Sequence, residues 1–120
     1  MAAVRRAHPS LTLKLILESG ELRDESLIAA AATMALDEGV DFLKTSTGKT
    51  TTGATLEAAD VMLRCIAQDR SAAARVGFKA SGGVRTAEDA VKMAQAGANR
   101  IGASASVAIV TGTATTSKGY

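Results

Sequence analysis

The sequence is poor in the residues that form disulfides, metal clusters and aromatic platforms. Cys65 is the only cysteine among 120 residues, and the only aromatic residues are Phe42, Phe78 and Tyr120. A single cysteine excludes an internal disulfide and a cysteine-cluster metal site. It lies in the helical pattern VMLRCIAQ, where we expect it to be buried. His8 is also alone, so no pair of histidines is available as metal ligands.

A strong charge of one sign and long apolar runs are missing as well. The formal net charge is +2, and the lysines and arginines are scattered without neighbouring aromatic residues, which argues against nucleic-acid binding. No apolar run reaches the roughly 20 residues that a membrane helix needs. The first residues, MAAVRRAHPS, carry charge but no apolar segment typical of a secretory signal. With 47% hydrophobic and 22% charged residues, the composition predicts a cytoplasmic globular protein.

Four apolar stretches of strand length are present, and helix-like segments separate them. The strands are LTLKLIL (11–17), VDFLK (40–44), ARVGFKA (74–80) and NRIGA (99–103). The helical segments are 24–39, 55–69 and 86–97, and we expect one more short helix at 104–112. This alternation predicts one α/β domain, residues 1–120, built from parallel βα units.

The helical segments carry recognisable start and stop signals. Asp24, Thr55 and Thr86 stand at the predicted starts, where their side chains can accept hydrogen bonds from unpaired backbone N–H groups. Gly39 and Gly97 close the first and third segments, and glycine readily adopts the left-handed conformation that ends a helix. We therefore expect the helices to begin and end close to these residues.

Two of the predicted strands end in lysine. Lys44 follows VDFL, and Lys79 follows VGF. If these strands are neighbours, the two ammonium groups approach each other in a partly dry site. Desolvation and a second cation both lower the pKa of a lysine, and the neutral amine is the form that attacks a carbonyl to give a Schiff base. Spacing alone leaves open the alternative that both lysines are solvated strand ends.

Glycine-rich turns follow the last two predicted strands. Gly82 and Gly83 lead into a capped helix, and Gly102 and Ser104 precede another helix start. Backbone N–H groups at a helix N-terminus bind anions, and (β/α)8 barrels commonly bind phosphate at their last two βα loops. Lys49 would add a positive charge to the same anion. The alternatives are plain turn chemistry for the glycines and a solvated surface position for Lys49.

Four longer motifs carry a specific resemblance. LKLILESGEL (13–22), VDFLKTSTGK (40–49), VGFKASGGVRTAEDA (76–90) and GANRIGASASVAIV (97–110) closely resemble, in order and spacing, the carboxyl-terminal half of deoxyribose-phosphate aldolase. The resemblance covers almost the whole chain and implies half of a (β/α)8 barrel. It also implies a metal-independent class I aldolase without a cofactor, which reversibly cleaves 2-deoxy-D-ribose 5-phosphate to acetaldehyde and D-glyceraldehyde 3-phosphate.

The resemblance implies roles for individual residues. Lys44 would form the Schiff base, and Lys79 would be the neighbouring lysine that lowers its pKa. Lys14 matches a polar residue that lines the active site. Tyr120 matches a carboxyl-terminal tyrosine proposed to assist proton transfer, and we expect the polar tail 113–120 to be flexible. The residues that match the family's phosphate-binding loops are Gly48, Lys49, Gly82, Gly83, Gly102 and Ser104.

The sequence departs from the family pattern in two ways. Ala105 stands where many members have a second serine, which removes one phosphate-binding hydroxyl. The chain also corresponds only to the last four strands of the barrel, and the family's catalytic aspartate has no counterpart in it. We expect slower proton transfer for this reason, since general acid–base groups contribute about 10²–10⁴-fold.

A half barrel exposes two sheet edges and an apolar concave face, both of which favour association. We expect a two-fold dimer in which the NRIGA strand of one copy pairs with the LTLKLIL strand of the other and closes the barrel. The alternatives are a separately encoded amino-terminal half, an open sheet in a larger oligomer, or a fragment that folds poorly.

The leading functional hypothesis is a Schiff-base aldolase that acts, as a homo-oligomer, on a small phosphorylated sugar or aldehyde. The alternative is a non-catalytic or weakly active remnant that binds sugar phosphate or pairs with another aldolase chain. A non-functional truncated gene product is a third possibility.

Overall fold

The chain forms a four-stranded parallel sheet with helices between the strands. The computed structural model describes residues 1–112. Its strands are β1 (Lys14–Ile16), β2 (Phe42–Lys44), β3 (Gly77–Ser81) and β4 (Arg100–Gly102). Its helices are α1 (Ala2–Ala7), α2 (Ser19–Leu22), α3 (Glu25–Asp37), α4 (Leu56–Gln68), α5 (Ala87–Ala96) and α6 (Ser106–Thr111). None of these helices is long and apolar enough to cross a membrane.

The strands pair in chain order, β1-β2-β3-β4, and every pair is parallel. This confirms the predicted α/β fold of parallel βα units. It also brings all four strand carboxyl ends to the same edge of the sheet, where the loops that follow β2, β3 and β4 meet.

The two faces of the sheet differ in what covers them. Leu43 and Phe78 are Cα partners in register and are fully buried against the helices. Because successive side chains in a strand point to opposite faces, Lys44 and Lys79 project from the other face. On the same face, nearer the amino end of β2, the ring of Phe42 lies between the cations of Lys14 and Arg100. Each cation is 5.1 Å from the ring centroid.

The hydrophobic core lies between the sheet and α3, α4 and α5. Ala32 and Ala59 are completely buried on α3 and α4, and such small side chains let the two helices approach closely. Met62 fills the space between them and the sheet. Cys65 is only half-buried, so the expected full burial is corrected: its thiol lies 3.8 Å from the carbonyl oxygen of Ala29 on α3.

The predicted helix starts and stops are confirmed. Asp24 Oδ1 accepts a hydrogen bond of 2.7 Å from the backbone N–H of Ser26, and Thr55 Oγ1 accepts one from Ala58. Thr86 forms a complete capping box at the start of α5. Gly97 ends α5 in the left-handed conformation, with φ 119°. These caps define the residues at which each helix joins its neighbouring loop.

Two short helices were not expected from the sequence. The first, α1, is tied to the bottom of the sheet by Arg5, whose guanidinium donates to the carbonyl oxygens of Leu11 and Gly39 and pairs with Asp41. The second, α2, directly follows β1, where the longer predicted strand 11–17 turns away from the sheet. Tertiary hydrogen bonds, which a periodicity argument does not detect, determine both.

Candidate active site

Lys44 and Lys79 lie side by side at the carboxyl-end edge of the sheet. They are Cα partners in the parallel pair of β2 and β3, and both are half-buried. Burial lowers the pKa of Lys44, the positive charge of Lys79 lowers it further, and the carboxylate of Glu18 acts in the opposite direction. The net result is a lysine whose neutral form is more populated near neutral pH than that of an ordinary surface lysine.

A cavity of about 430 Å³ opens above the two lysines. Four cationic side chains line it, namely Lys44, Lys49, Lys79 and Arg85, and no carboxylate from residues 1–112 does. The remaining lining residues come from the loops after β2, β3 and β4, including Gly48, Gly82, Gly83, Gly102, Ser104 and Ala105. The composition of the cavity wall therefore favours an anionic ligand.

Eight of the ten predicted site residues line this cavity. Lys14 lies on the same face of the sheet as Lys44 but two residues nearer the amino ends of the strands. Its ammonium lies over the ring of Phe42. It does not line the cavity in the described part of the chain. Tyr120 and the predicted flexible tail 113–120 lie outside the described residues.

The loops after β2 and β3 are packed backbone to backbone. A Cβ atom on Gly53 would lie 2.3 Å from the carbonyl carbon of Gly82, and the N–H of Ala54 donates to the Gly82 oxygen at 2.9 Å. Gly82 and Gly83 both have positive φ, 81° and 80°, a region that side chains disfavour. The glycines thus allow the loops to lie together along one wall of the cavity.

Gly102 makes room for the side chain of Lys79. A Cβ on Gly102 would lie 2.9 Å from Cβ of Ser81 and 3.1 Å from Cε of Lys79. Any larger residue at position 102 would therefore displace the side chain of Lys79. This packing role differs from the phosphate contact expected for Gly102, and the sequence contains no signal for it.

Buried hydroxyl groups join β2 to β3 just beyond the lysines. Thr45 Oγ1 donates to the carbonyl oxygen of Ser81 and accepts from its N–H, both at 3.0 Å. Ser81 Oγ donates to the carbonyl oxygen of Ser46 at 2.8 Å. These bonds hold the strand ends together, so the spacing between the two lysines is set by a rigid layer.

Sequence reasoning assigned no role to two charged residues near the site. Arg85 stands directly before the N-cap Thr86 and lines the cavity. Glu18 follows β1, and its carboxylate accepts hydrogen bonds from Thr47 and Thr50. The motif VRTAED carries a local signal for Arg85, since a basic residue beside a glycine turn suits an anion site. Glu18 has no such signal, because its partners are about thirty residues away in sequence.

Within residues 1–112, no group of three or more His, Cys, Asp or Glu side chains could hold a metal ion. The cavity itself offers an amine with a lowered pKa, a second ammonium beside it, and a cationic wall. An amine of this kind can add to a carbonyl carbon.

Comparisons with known proteins agree with this chemistry. Residues 1–115 match the model of the DeoC/LacD family aldolases, and the chain belongs to this family. It is 54% identical over 91 residues to the deoxyribose-phosphate aldolase of Agrobacterium fabrum, covering 75% of this chain and 34% of that protein. To the deoxyribose-phosphate aldolase of Brevibacillus brevis it is 45% identical over 120 residues, covering 100% of this chain and 51% of that protein.

Solved aldolase structures share the fold. The aldolase QR15 superposes with a TM-score of 0.80 and 36% identity over 92% of this chain and 47% of its own. The tetrameric deoxyribose phosphate aldolase of Aeropyrum pernix gives a TM-score of 0.74 and 31% identity, over 92% of this chain and 45% of its own. The chain thus spans about half the length, or less, of the curated relatives it matches. Its four βα units constitute half of a (β/α)8 barrel.

Proposed function

We propose that the chain carries a class I aldolase site that cleaves 2-deoxy-D-ribose 5-phosphate reversibly through a Schiff base on Lys44. The observation that supports this most directly is the register of Lys44 with Lys79 beneath a cationic cavity. Membership in the DeoC/LacD aldolase family adds the reaction class. The substrate is proposed from the relatives' names, since deoxyribose-phosphate aldolases match the chain at 45–54% identity.

The first step is addition of the Lys44 amine to the aldehyde carbon of the sugar. Burial and the charge of Lys79 lower the pKa of Lys44, so a larger share of the amine is neutral and nucleophilic. The carbinolamine loses water and becomes an iminium. In this proposal Lys79, the Cα neighbour of Lys44 on β3, exchanges protons with the oxygen that leaves.

The second step breaks the carbon–carbon bond. The C3 hydroxyl loses its proton, the electron pair of the C2–C3 bond moves toward the iminium nitrogen, and glyceraldehyde 3-phosphate leaves. An enamine remains on Lys44. Protonation of its terminal carbon and addition of water release acetaldehyde and restore the amine. In this proposal Tyr120 assists that protonation.

The phosphate is proposed to bind at the far wall of the cavity. Gly82, Gly83 and Ser104 lie there before the starts of α5 and α6, and Lys49 and Arg85 supply positive charge. Backbone N–H groups and cations are the usual partners of phosphate oxygens. Ala105 also lines the wall and can contribute its backbone but no hydroxyl.

The open edges at β1 and β4 require partners for their backbone groups. We propose that a two-fold dimer closes the barrel, with β4 of one copy beside β1 of the other. Ile16, 38% exposed on the open face beside Lys44, would become buried in such a barrel. The relative from Aeropyrum pernix is described as a tetramer, so oligomers occur in this family.

Site-selective trapping tests the aldolase proposal. The protein is incubated briefly with dilute acetaldehyde and borohydride, and the reduced ethyl adducts are located by mass spectrometry. We expect Lys44 to be modified much faster than Lys92, an exposed lysine paired with Glu88 on α5. The Lys44→Leu variant is expected to lose both the fast adduct and sugar-phosphate cleavage, and Lys92→Leu is expected to keep both.

Equal labelling of Lys44 and Lys92 would contradict the proposal. If the protein then still bound inorganic phosphate or sugar phosphate, the alternative of a non-catalytic binding domain would be supported. Its open sheet edges and cationic cavity are the observations that favour that alternative.

A further inference from the structure

Glu18 occupies an unusual position at the junction of β1 and α2. Its backbone is left-handed, with φ 51° and ψ 52°, although it is not a glycine. Such a conformation is disfavoured for a residue with a long side chain and persists only where the surroundings compensate for it. The N–H of the next residue, Ser19, donates to the carbonyl oxygen of Thr45 at 3.0 Å. The turn is therefore joined directly to the segment that follows Lys44.

The Glu18 carboxylate makes four hydrogen-bond contacts to the loop after β2. The Thr47 hydroxyl donates to Oε2 at 2.6 Å, and the Thr47 N–H lies 3.2 Å from both oxygens. The Thr50 hydroxyl donates to Oε1 at 3.1 Å. Both threonines line the cavity, with Gly48 and Lys49 between them. One side chain thus holds both ends of the segment that carries Lys49, one of the four cations of the cavity.

Glu18 also differs from its neighbour Glu21, which lies on α2 and is exposed. Within residues 1–112 the Glu21 carboxylate makes no hydrogen bond and no ion pair, whereas hydrogen bonds from Thr47 lower the pKa of Glu18 despite its partial burial. Glu18 is therefore ionised at neutral pH. Its negative charge acts on Lys44 against the effects of burial and of Lys79.

We propose that Glu18 is a positioning residue for the aldolase site, which holds the loop 45–50 in place for the anion and supplies the negative charge that acts on Lys44. This inference rests on the proposed function for its catalytic meaning. The hydrogen bonds give it a role in substrate binding, and the charge gives it a role in the protonation of the nucleophile.

The two roles predict separate effects. The charged groups around Lys44 are Glu18 after β1, Lys79 on β3, and Lys49 and Arg85 on the cavity wall. Within residues 1–112, Glu18 is the only anion among them, and it raises the pKa of Lys44. Without that charge the pKa of Lys44 falls, so the neutral amine is reached at lower pH. Loss of the loop contacts weakens anion binding by about threefold to tenfold, the effect of one hydrogen bond.

Glu18→Gln removes the charge while keeping the shape, and Glu21→Gln is its matched control. The first measurement is the rate at which acetic anhydride acetylates Lys44 across pH, with Lys92 as an internal reference. We expect the curve to move to lower pH in Glu18→Gln and to coincide with wild type in Glu21→Gln. The second measurement is the affinity for inorganic phosphate, which we expect to change only in Glu18→Gln, since the lost loop contacts lower it and the lost negative charge raises it.

Thr50→Val separates the effect of the Glu18 hydrogen bonds to the loop from the effect of the Glu18 charge. It removes one hydrogen bond to the carboxylate and leaves Glu18 ionised, so phosphate binding is expected to weaken while the acetylation curve stays in place. An unchanged acetylation curve and unchanged phosphate affinity in a folded Glu18→Gln protein would overturn the inference. A curve that moved equally in Thr50→Val would also overturn it, since the effect would then be structural.

These measurements do not depend on aldol chemistry. Failure of the acetaldehyde trapping experiment would remove the aldolase proposal while leaving the Lys44 acetylation curves interpretable. Preferential trapping at Lys44 together with identical curves for the two glutamine variants would remove the role of Glu18 alone.

Discussion

Lys44 illustrates how the reactivity of a residue depends on its neighbours. An unperturbed lysine has a pKa of about 10.4 and is almost entirely charged at neutral pH. In this site Lys44 is partly buried and lies beside the cation of Lys79, and both effects lower its pKa. The nearby carboxylate of Glu18 limits the effect. The protonation of Lys44 on β2 thus also depends on residues from β3 and from the turn after β1.

Replacing Lys79 with methionine tests this electrostatic coupling. The positive charge of Lys79 lowers the pKa of Lys44, so Lys79→Met is expected to raise it and to move the acetylation curve of Lys44 to higher pH. We expect sugar-phosphate cleavage to fall by about 10²–10⁴-fold if Lys79 also transfers protons. Lys92→Met, which removes a cation on α5 away from the cavity, is the control. An acetylation curve identical to wild type would contradict the coupling.

Methionine is chosen because it keeps the length and most of the packing of lysine. The side chain of Lys79 lies against Gly102, where a Cβ would come within 3.1 Å of Cε. A smaller residue at position 79 would leave a gap above β4 and mix a packing change with the loss of charge.

At the scale of elements, the site depends on how closely the βα loops pack. The loop after β2 contacts α2 and the loop after β3 through backbone atoms and hydroxyl groups. Gly20 and Gly53 mark these contacts, since a Cβ at either position would lie within 2.4 Å of a carbonyl oxygen. Loops packed in this way cannot move independently.

Gly53→Ala tests the loop packing. The new methyl group would collide with the Gly82 backbone, so the loops after β2 and β3 must separate. We expect a loss of stability of about 1–3 kcal/mol, the usual effect of overpacking, together with weaker phosphate binding. Urea unfolding and phosphate titration measure the two effects.

Gly39→Ala is the matched control for Gly53→Ala. Gly39 has φ 74° and open space around its Cβ position, at the amino-end side of β2. Alanine there introduces only backbone strain, which is expected to cost about 1 kcal/mol, and leaves phosphate binding unchanged. Equal phosphate affinities in the two variants would show that the loop contact at Gly53 does not shape the cavity.

The elements themselves were predicted well where local patterns suffice. The caps at Asp24, Thr55 and Thr86 fall at the predicted positions, because a cap depends on residues within one helical turn. The strand at 11–17 is shorter than predicted, since the chain turns into α2 after Ile16. Hydrophobicity extends beyond the paired residues there, and only pairing with β2 defines where the strand stops.

Within residues 1–112 the molecule is an open four-stranded sheet with the hydrophobic core and α3, α4 and α5 on one face. Along β1, the Leu17 N–H donates to the Lys44 oxygen and the Leu13 oxygen accepts from Phe42. Backbone groups alternate in direction along a strand, so the N–H groups of Lys14 and Ile16 point away from β2 toward the open edge. These are the donors that the proposed dimer would pair.

Ile16→Pro therefore tests the proposed assembly without breaking the β1–β2 pair. Proline removes the outward N–H and is tolerated on an edge strand. We expect weaker self-association than in Ile16→Ala, which loses the side chain but keeps the N–H. Light scattering and sedimentation at micromolar concentration measure the difference. The same assembly in both variants, or a compact wild-type monomer, would contradict pairing at β1.

The sequence by itself determined the order of the four strands and of helices α3 to α6, the helix caps, and the lysines and most of the glycines of the cavity wall. These features depend on local patterns and on motifs that stay together in the chain. Only the tertiary structure decided that Lys44 and Lys79 share a register, that Gly102 makes room for Lys79, and that Glu18 binds the loop after β2. Each of these depends on a distance between residues far apart in the sequence, which is set by sheet register and backbone packing.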